Sequence, residues 1–251
     1  MVGSELKQQH FVTREAEILA AALALLNRED WQAATVARIA VEAGIGKGTV
    51  YKHFASKEAI YAALSMAFFE RLLARLRGID AHLPPLEWLR VAIRAAFDHY
   101  LSHSDHRHVV MFCARPAFRN RLGMAQRERF AQIDREFNAL FTAVLARGVV
   151  DGLFPDRPVL QLGFPLEAAF TGAMHMIWEG CVDEAASAAQ GDCAVDAGQH
   201  ACGDAAIAVA AGGEPPHGEL SRSQRERLAP LLTQLEAFML AGLIHQQALM
   251  E

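Results

Sequence analysis

TVARIAVEAGIGKGTVYKHF, residues Thr35 to Phe54, is the stretch that decides the fold class. Thr35 suits the N-cap of a helix, because its hydroxyl can accept a bond from an orphan N–H of the first turn. Val36, Ile39, Ala40 and Ala43 follow at i, i+3, i+4 and i+7, which is one apolar helix face. Gly44 ends that helix, since glycine takes the left-handed conformation after a last turn without a Cβ clash. Ile45 and Gly46 leave room only for a tight turn. A second short helix then turns Val50 and Phe54 inward and leaves Lys47, Gly48, Thr49, Tyr51, Lys52 and His53 outward, wholly or in part. Two short helices joined by a glycine-containing turn make a helix-turn-helix unit. Positive charge, hydroxyls and a glycine that permits close approach suit phosphate oxygens and base edges in a major groove. Lys47, Gly48, Thr49 and Lys52 are therefore the candidates for base or groove contact. Thr35, Tyr51, His53 and Lys57 are the candidates for phosphate contact.

Helical patterns flank this unit on both sides. Thr13 is expected to cap the first helix, with Ile18, Leu19, Ala22, Leu25 and Leu26 as its buried face and Trp31 plugging the core. Residues 1–12 then read as an arm, in which Lys7 and His10 could reach DNA. Ser56 caps a fourth helix, along which Ile60, Leu64, Phe68, Leu72 and Leu76 recur at helical spacing as far as Arg77 and Gly78. Further helices are expected from Leu86 to Leu101, Val109 to Ala114, Phe118 to Arg147 with Gly148 as C-cap, Pro158 to Gly180 and Ser223 to Gln247. Pro165 and Pro230 should kink the last two or mark their true starts. Glu184 to Ser221 has no apolar periodicity and reads as a mobile insertion, a structureless loop of that length being uncommon inside a packed domain.

The stretch from Ala43 to Leu64, AGIGKGTVYKHFASKEAIYAAL, resembles the signature of the TetR (tetracycline-repressor) family of bacterial transcription regulators. The resemblance is dense from Arg14 to Leu64. It departs at Gly46, where many members carry a serine able to cap the second helix. What the resemblance implies is an all-α chain. An N-terminal helix-turn-helix domain, residues 1–57, would precede a helical ligand-binding and dimerisation domain, residues 58–251, with 184–221 as a flexible insertion. It implies a homodimeric regulator, a repressor released from double-stranded DNA by a small-molecule effector. Two recognition helices about 34 Å apart would read the half-sites of a palindromic operator. The dimer contact is assigned to Phe170, Met174, Ile177, Leu228, Leu231, Leu235, Phe238 and Met239, which would build a four-helix bundle across a two-fold axis. An effector cavity would be lined by Phe69, Trp88, Phe97, Tyr100, Met111, Phe112, Phe137, Phe141, Met174 and Trp178, a set that favours a bulky, largely apolar ligand.

The alternative reading is a metal- or redox-responsive regulator. His99 and His103 are four apart and would share a helix face, a spacing compatible with a common metal. His106 joins them only if the helix continues through Ser102 and Ser104, and His108 lies just beyond. Against this, histidines at a helix end are commonly caps, where a cation meets the negative pole. Cys181, Cys193 and Cys202, with His200, could make a thiolate site, although their loose spacing suits a plain linker better.

Composition sets outer bounds. The chain has 251 residues, a net charge of −5 and four cysteines, which do not resemble a disulfide framework. The negative total does not oppose DNA binding, because the cluster Lys47, Lys52 and Lys57 is local. The N-terminus lacks the basic-then-apolar order of a signal peptide, and no apolar run approaches the roughly 20 residues that span a bilayer. The expected location is therefore cytoplasmic, with no membrane partner. No phosphate loop, nucleophile elbow or paired-carboxylate motif is present, so no catalytic residue, cofactor or enzymatic activity is assigned.

Overall fold

The computed structural model describes residues 2–28, 33–180 and 222–244, and every regular element among them is helical. Trp31, the insertion at 184–221 and the group of Cys181, Cys193, His200 and Cys202 lie outside the described residues. In chain order the helices are α1 (Val2–Leu26), α2 (Val36–Glu42), α3 (Lys47–His53), α4 (Lys57–Arg77), α5 (Pro85–Ser102), α6 (Arg107–Ala114), α7 (Pro116–Arg119), α8 (Met124–Val150), α9 (Val159–Trp178) and α10 (Arg222–Ile244).

The first helix starts earlier than its capping pattern suggests. Residues expected to form an arm are the beginning of α1, and Thr13 is an interior residue whose Oγ1 donates to the Gln9 carbonyl at 2.9 Å. The reason lies in the run from Glu5 to Glu17, which contains no glycine or proline and several strong helix formers. A threonine inside such a helix satisfies its hydroxyl by bonding back one turn. The other caps fall where the residue types place them. Thr35 Oγ1 accepts from Arg38 N at 3.3 Å, and Ser56 Oγ accepts from Ala59 N at 3.2 Å. Gly44 has a φ of 65°, the left-handed conformation that a Cβ would disfavour.

By packing, the chain divides into two units, Met1–Leu83 with Asp105–Ala143, and Pro84–Ser104 with Val144–Glu251. In the first, α2 and α4 pack on α1, and α6 packs on α1 and α4. Ile18, Ala22, Ile39, Val50, Ile60 and Phe68 have no exposed surface. Tyr61, also buried, donates from its hydroxyl to the Ala34 carbonyl at 3.2 Å and so ties α4 to the chain just before α2. Cys113 of α6 lies against the same turn, its Sγ 3.6 Å from the Tyr61 carbonyl oxygen. Burial pushes the Cys113 thiol up to about 12, against weaker lowering effects of Ser65 and Arg119. Native Cys113 should therefore stay unlabelled by maleimide at pH 8 and react only after unfolding, as peptide mapping can show. Rapid native labelling of the peptide containing Cys113 would contradict this packing.

The long helix expected from Phe118 to Arg147 is two helices. Pro116 starts α7, a turn follows, and α8 begins only at Met124. Its C-terminal end also differs: α8 runs to Val150, Gly148 lies inside it, and Gly152 with a φ of 70° supplies the left-handed turn. The amides of Leu153 and Phe154 both donate to the Gly148 carbonyl, which folds Phe154 back onto the helix. A Cβ at Gly148 would collide with the Phe154 ring. Gly148→Ala should therefore destabilise the fold by about 1–3 kcal/mol, the range for overpacking, measured as a lower denaturation midpoint. An unchanged midpoint would show that Phe154 does not sit over this backbone.

In the second unit α10 packs on α5 and α9. Helix α9 passes through Pro165 and α10 through Pro230, so neither proline marks a helix start. Phe97 stacks on Phe170 at 5.0 Å between ring centroids, and Tyr100 stacks on Trp178 at 5.0 Å. Buried Glu236 holds α10 to α5: Arg94 Nε reaches it at 2.6 Å and Arg90 Nε at 3.2 Å. That hydrogen-bonded carboxylate raises the pKa of the Arg94 guanidinium. One stretch, Gln224–Ile244 of α10, is long and apolar enough by length and composition to cross a bilayer, which corrects the expectation of no such run. Part of its apolar content serves packing in this fold, where Leu228, Met239, Leu240 and Leu243 are buried, while Leu231, Phe238 and Ile244 are exposed.

Candidate nucleic-acid interface

The outer face of α3 is set by what its inner face must do. Val50 is fully buried, so the residues a third of a turn away on either side are turned out. Lys47, Gly48, Tyr51 and Lys52 are exposed, and Thr49 is half-buried. Lys47 Nζ lies 5.7 Å from the Tyr51 ring centroid, a spacing at which the ring face attracts the ammonium and steadies its long stem. Thr35 is exposed at the start of α2 while its hydroxyl caps that helix. Lys57, half-buried at the start of α4, places Nζ 5.9 Å from the Tyr61 ring centroid.

Gly46 and Gly48 behave differently from the glycines of the turns. Gly46 is the N-cap of α3, with an extended backbone and no side-chain capping bond; its carbonyl accepts from Thr49 N at 2.8 Å. A Cβ at Gly48 would meet nothing within 4 Å. Glycine inside a helix is less favourable than alanine by about 1 kcal/mol. Among the described residues nothing requires the bare backbone at Gly48.

His53 departs from the outward set. Its side chain is only 7% exposed, its ring lies 4.1 Å from that of Phe11, and its Nδ1 is 3.6 Å from Glu15 Oε1. The last turn of α3 thus leans on α1, and His53 is a packing residue between them in this structure. Sequence does not pair Phe11 with Glu15, because residues 1–12, Phe11 among them, read as an arm. The usable signal was their spacing of four, which places both on one face once the helix is extended backwards.

The other candidate residues separate by unit. Phe69, Met111, Phe112, Phe137 and Phe141 lie in the first and are half-buried, with Phe69 and Phe137 edge-to-face at 6.3 Å. Trp88, Phe97, Tyr100, Met174 and Trp178 lie in the second. Burial raises the Tyr100 phenol above its usual range, with a smaller contribution from the Glu167 carboxylate. Of the residues assigned to the dimer contact, Met174, Leu228 and Met239 are buried within the chain, Phe170, Ile177 and Leu235 are half-buried, and Leu231 and Phe238 are 47% and 70% exposed.

His99 and His103 do come together, with ring centroids 4.4 Å apart, but the histidine group as a whole does not form one face. Helix α5 stops at Ser102, and His103 is its C-cap, with Nδ1 2.9 Å from the His99 carbonyl oxygen. His106 follows in a separate turn, where Asp105 Oδ1 lies 2.8 Å from its Nδ1 and Arg71 Nη2 lies 3.2 Å from its Nε2. Among the described residues no group of three or more His, Cys, Asp or Glu side chains is placed to hold a metal ion.

Comparison with known proteins agrees with this geometry. The family model for bacterial regulatory proteins of the tetR family matches residues 18–64, which spans the end of α1 through the first part of α4. The HTH-type transcriptional repressor KstR2 of Mycobacterium tuberculosis is 35% identical over 152 residues, 59% of this chain and 72% of that protein. KstR2 of Mycolicibacterium smegmatis is 30% identical over 149 residues, covering 59% of this chain and 71% of that protein. The solved structure of the fatty acid degradation regulator FadR from Bacillus halodurans matches 91% of this chain and 98% of its own with a TM-score of 0.59 at 15% identity, a likeness of fold.

Proposed function

Because the chain belongs to the TetR family of bacterial regulatory proteins, we propose that it is a homodimeric transcriptional repressor, released from a palindromic operator by a small, largely apolar ligand. The observation that carries this reading is the outer face of α3. It presents two lysines, a tyrosine and a glycine that the fold itself does not need. In this reading residues 1–57 act as the reading head and residues 58–251 as the effector and dimerisation part. The protein works in the cytoplasm by binding rather than by catalysis. Lys47, Gly48, Thr49 and Lys52 enter the major groove, while Thr35, Tyr51 and Lys57 take phosphates. His53, packed on α1, serves the orientation of α3 instead of a phosphate contact. The aromatic residues of the second part line the effector site, and a ligand preferring the DNA-incompetent state weakens DNA binding by its differential affinity. The repressor names of the 35% and 30% identical relatives support the direction of regulation. Selection of duplexes from a randomised pool by the purified chain tests the function. A two-fold symmetric sequence should be enriched, and enrichment of nothing would overturn the reading.

The proposed dimer makes a separate prediction. Leu231 and Phe238 are seven residues apart on α10, two turns along one face, and both remain open in the single chain. A Leu231→Asp/Phe238→Asp variant should fold, yet sediment as a monomer, because pairing would bury two unpaired charges per chain. A dimer of unchanged stability would move the interface elsewhere.

A further inference from the structure

Between Arg107 and Arg129 the sequence holds six arginines and one acid, in a chain whose net charge is −5. The α7–α8 corner formed by this segment is anchored from within. Phe118, Leu122 and Phe130 are 2–4% exposed, and Arg119 closes it by pairing with Asp134 at 2.8 Å. Arg129 is likewise used, pairing with Glu70 of α4 at 2.6 Å. Arg115, Arg121 and Arg127 are exposed and form no ion pair among the described residues. The corner therefore presents three uncompensated guanidinium groups on a rigid base.

Its position follows from two ion pairs. Glu70 meets Arg129 and Arg77 meets Glu136, so α4 and α8 run in the same direction. The start of α8, and the corner before it, then lie toward the end of α4 that carries α3. At 1.5 Å per residue, the start of α4 is about 20 Å from Glu70 and the start of α8 about 7 Å from Arg129. The start of α8 thus stands roughly 12 Å back from the end of α4 that bears Lys57, and Arg127, three residues into α8, about 4–5 Å further back. An arginine side chain covers part of that distance, and phosphates within a further Debye length of about 8 Å still attract its charge. The whole arrangement lies in the packing unit that contains α3.

We propose that Arg115, Arg121 and Arg127 form a second nucleic-acid contact, which grips the phosphate backbone of the same duplex outside the bases read by α3. This rests on the DNA-binding reading above. Arginine suits the task, because its fork matches phosphate geometry and its charge is permanent. The contact adds affinity and register but no base preference, since phosphates are alike in every sequence.

The test uses the full chain and a duplex enriched by the wild type from a randomised pool, prepared in two lengths: the enriched core alone, and the core with ten or so arbitrary base pairs on each side. Each phosphate contact contributes about 0.9 to the slope of log affinity against log salt. On the flanked duplex, Arg115→Ala/Arg121→Ala/Arg127→Ala should lower the slope by between two and three per chain. That corresponds to losing about 40-fold of the affinity drop that each wild-type chain shows between 50 and 200 mM salt. On the bare core the variant and the wild type should differ little, which also shows that the variant is folded. Equal slopes and affinities on the flanked duplex would overturn this proposal while leaving α3 as the reading head. A variant that lost binding to phosphatidylglycerol vesicles with its DNA titration unchanged would overturn it in favour of a membrane surface. A wild type that enriched no sequence would overturn the DNA reading itself and this contact with it.

Discussion

Replacing Lys47 and Lys52 together by alanine is expected to leave the fold intact and to remove most specific DNA binding. Both side chains are exposed on α3 and neither supports the core, which at this helix is carried by Val50. Two lost cationic contacts per chain, four per dimer, should lower the salt slope by between about three and four. Affinity at low salt should fall by orders of magnitude, while discrimination between the operator and unrelated duplexes narrows, because groove contacts are lost along with charge. Circular dichroism and the denaturation midpoint should match those of the wild type. Binding of unchanged strength and salt dependence would remove α3 from the interface.

Phe68→Ala should have the largest effect on stability. Phe68 has no exposed surface, sits midway along α4, meets Phe69 edge-to-face at 5.4 Å and lies 5.8 Å from the His106 ring. Truncating a fully buried phenylalanine typically destabilises by about 3–5 kcal/mol, through lost transfer energy and a residual cavity. Domains of this kind have only about 5–15 kcal/mol in total. The variant should therefore unfold at a much lower denaturant concentration. A second consequence follows from position. Helix α4 joins the reading head to the chain beyond it and contacts both α1 and α6, so a loosened α4 should weaken DNA binding even where the protein remains folded. A shift in midpoint of less than about 1 kcal/mol equivalent would show that the site collapses to fill the cavity.

The helix-turn-helix was legible because local chemistry determines it. Thr35, Gly44 and Ser56 act at their own positions, and the apolar spacing of α2 and α4 requires no knowledge of the rest of the chain. Where longer-range facts decide, the sequence was less informative. The start of α1 was misplaced because Thr13 has the right chemistry for a cap, and the same hydroxyl can instead bond back to Gln9. His53 read as outward because its position on α3 is only partly inward; what decides its environment is Phe11, more than forty residues away in sequence. Gly148 read as a helix end because glycine is common there, whereas its actual constraint is the returning ring of Phe154. The split between α7 and α8 was missed because the helix expected from Phe118 was carried straight through Gly123. Within the candidate interface, Lys47, Gly48, Tyr51 and Lys52 are on the open face that their spacing implied. The arginines of the α7–α8 corner acquire meaning only once α8 is seen to run parallel to α4.

The proposed function requires two copies of α3 to read one duplex through its major groove. Methylation interference at guanine N7, an atom that lies in the major groove, examines this directly on a duplex enriched by the wild-type chain. Two symmetric clusters of interfering guanines are expected, about 10 base pairs apart from centre to centre, with the loss of that pattern in the Lys47→Ala/Lys52→Ala variant. A single cluster, or binding indifferent to major-groove methylation, would contradict it.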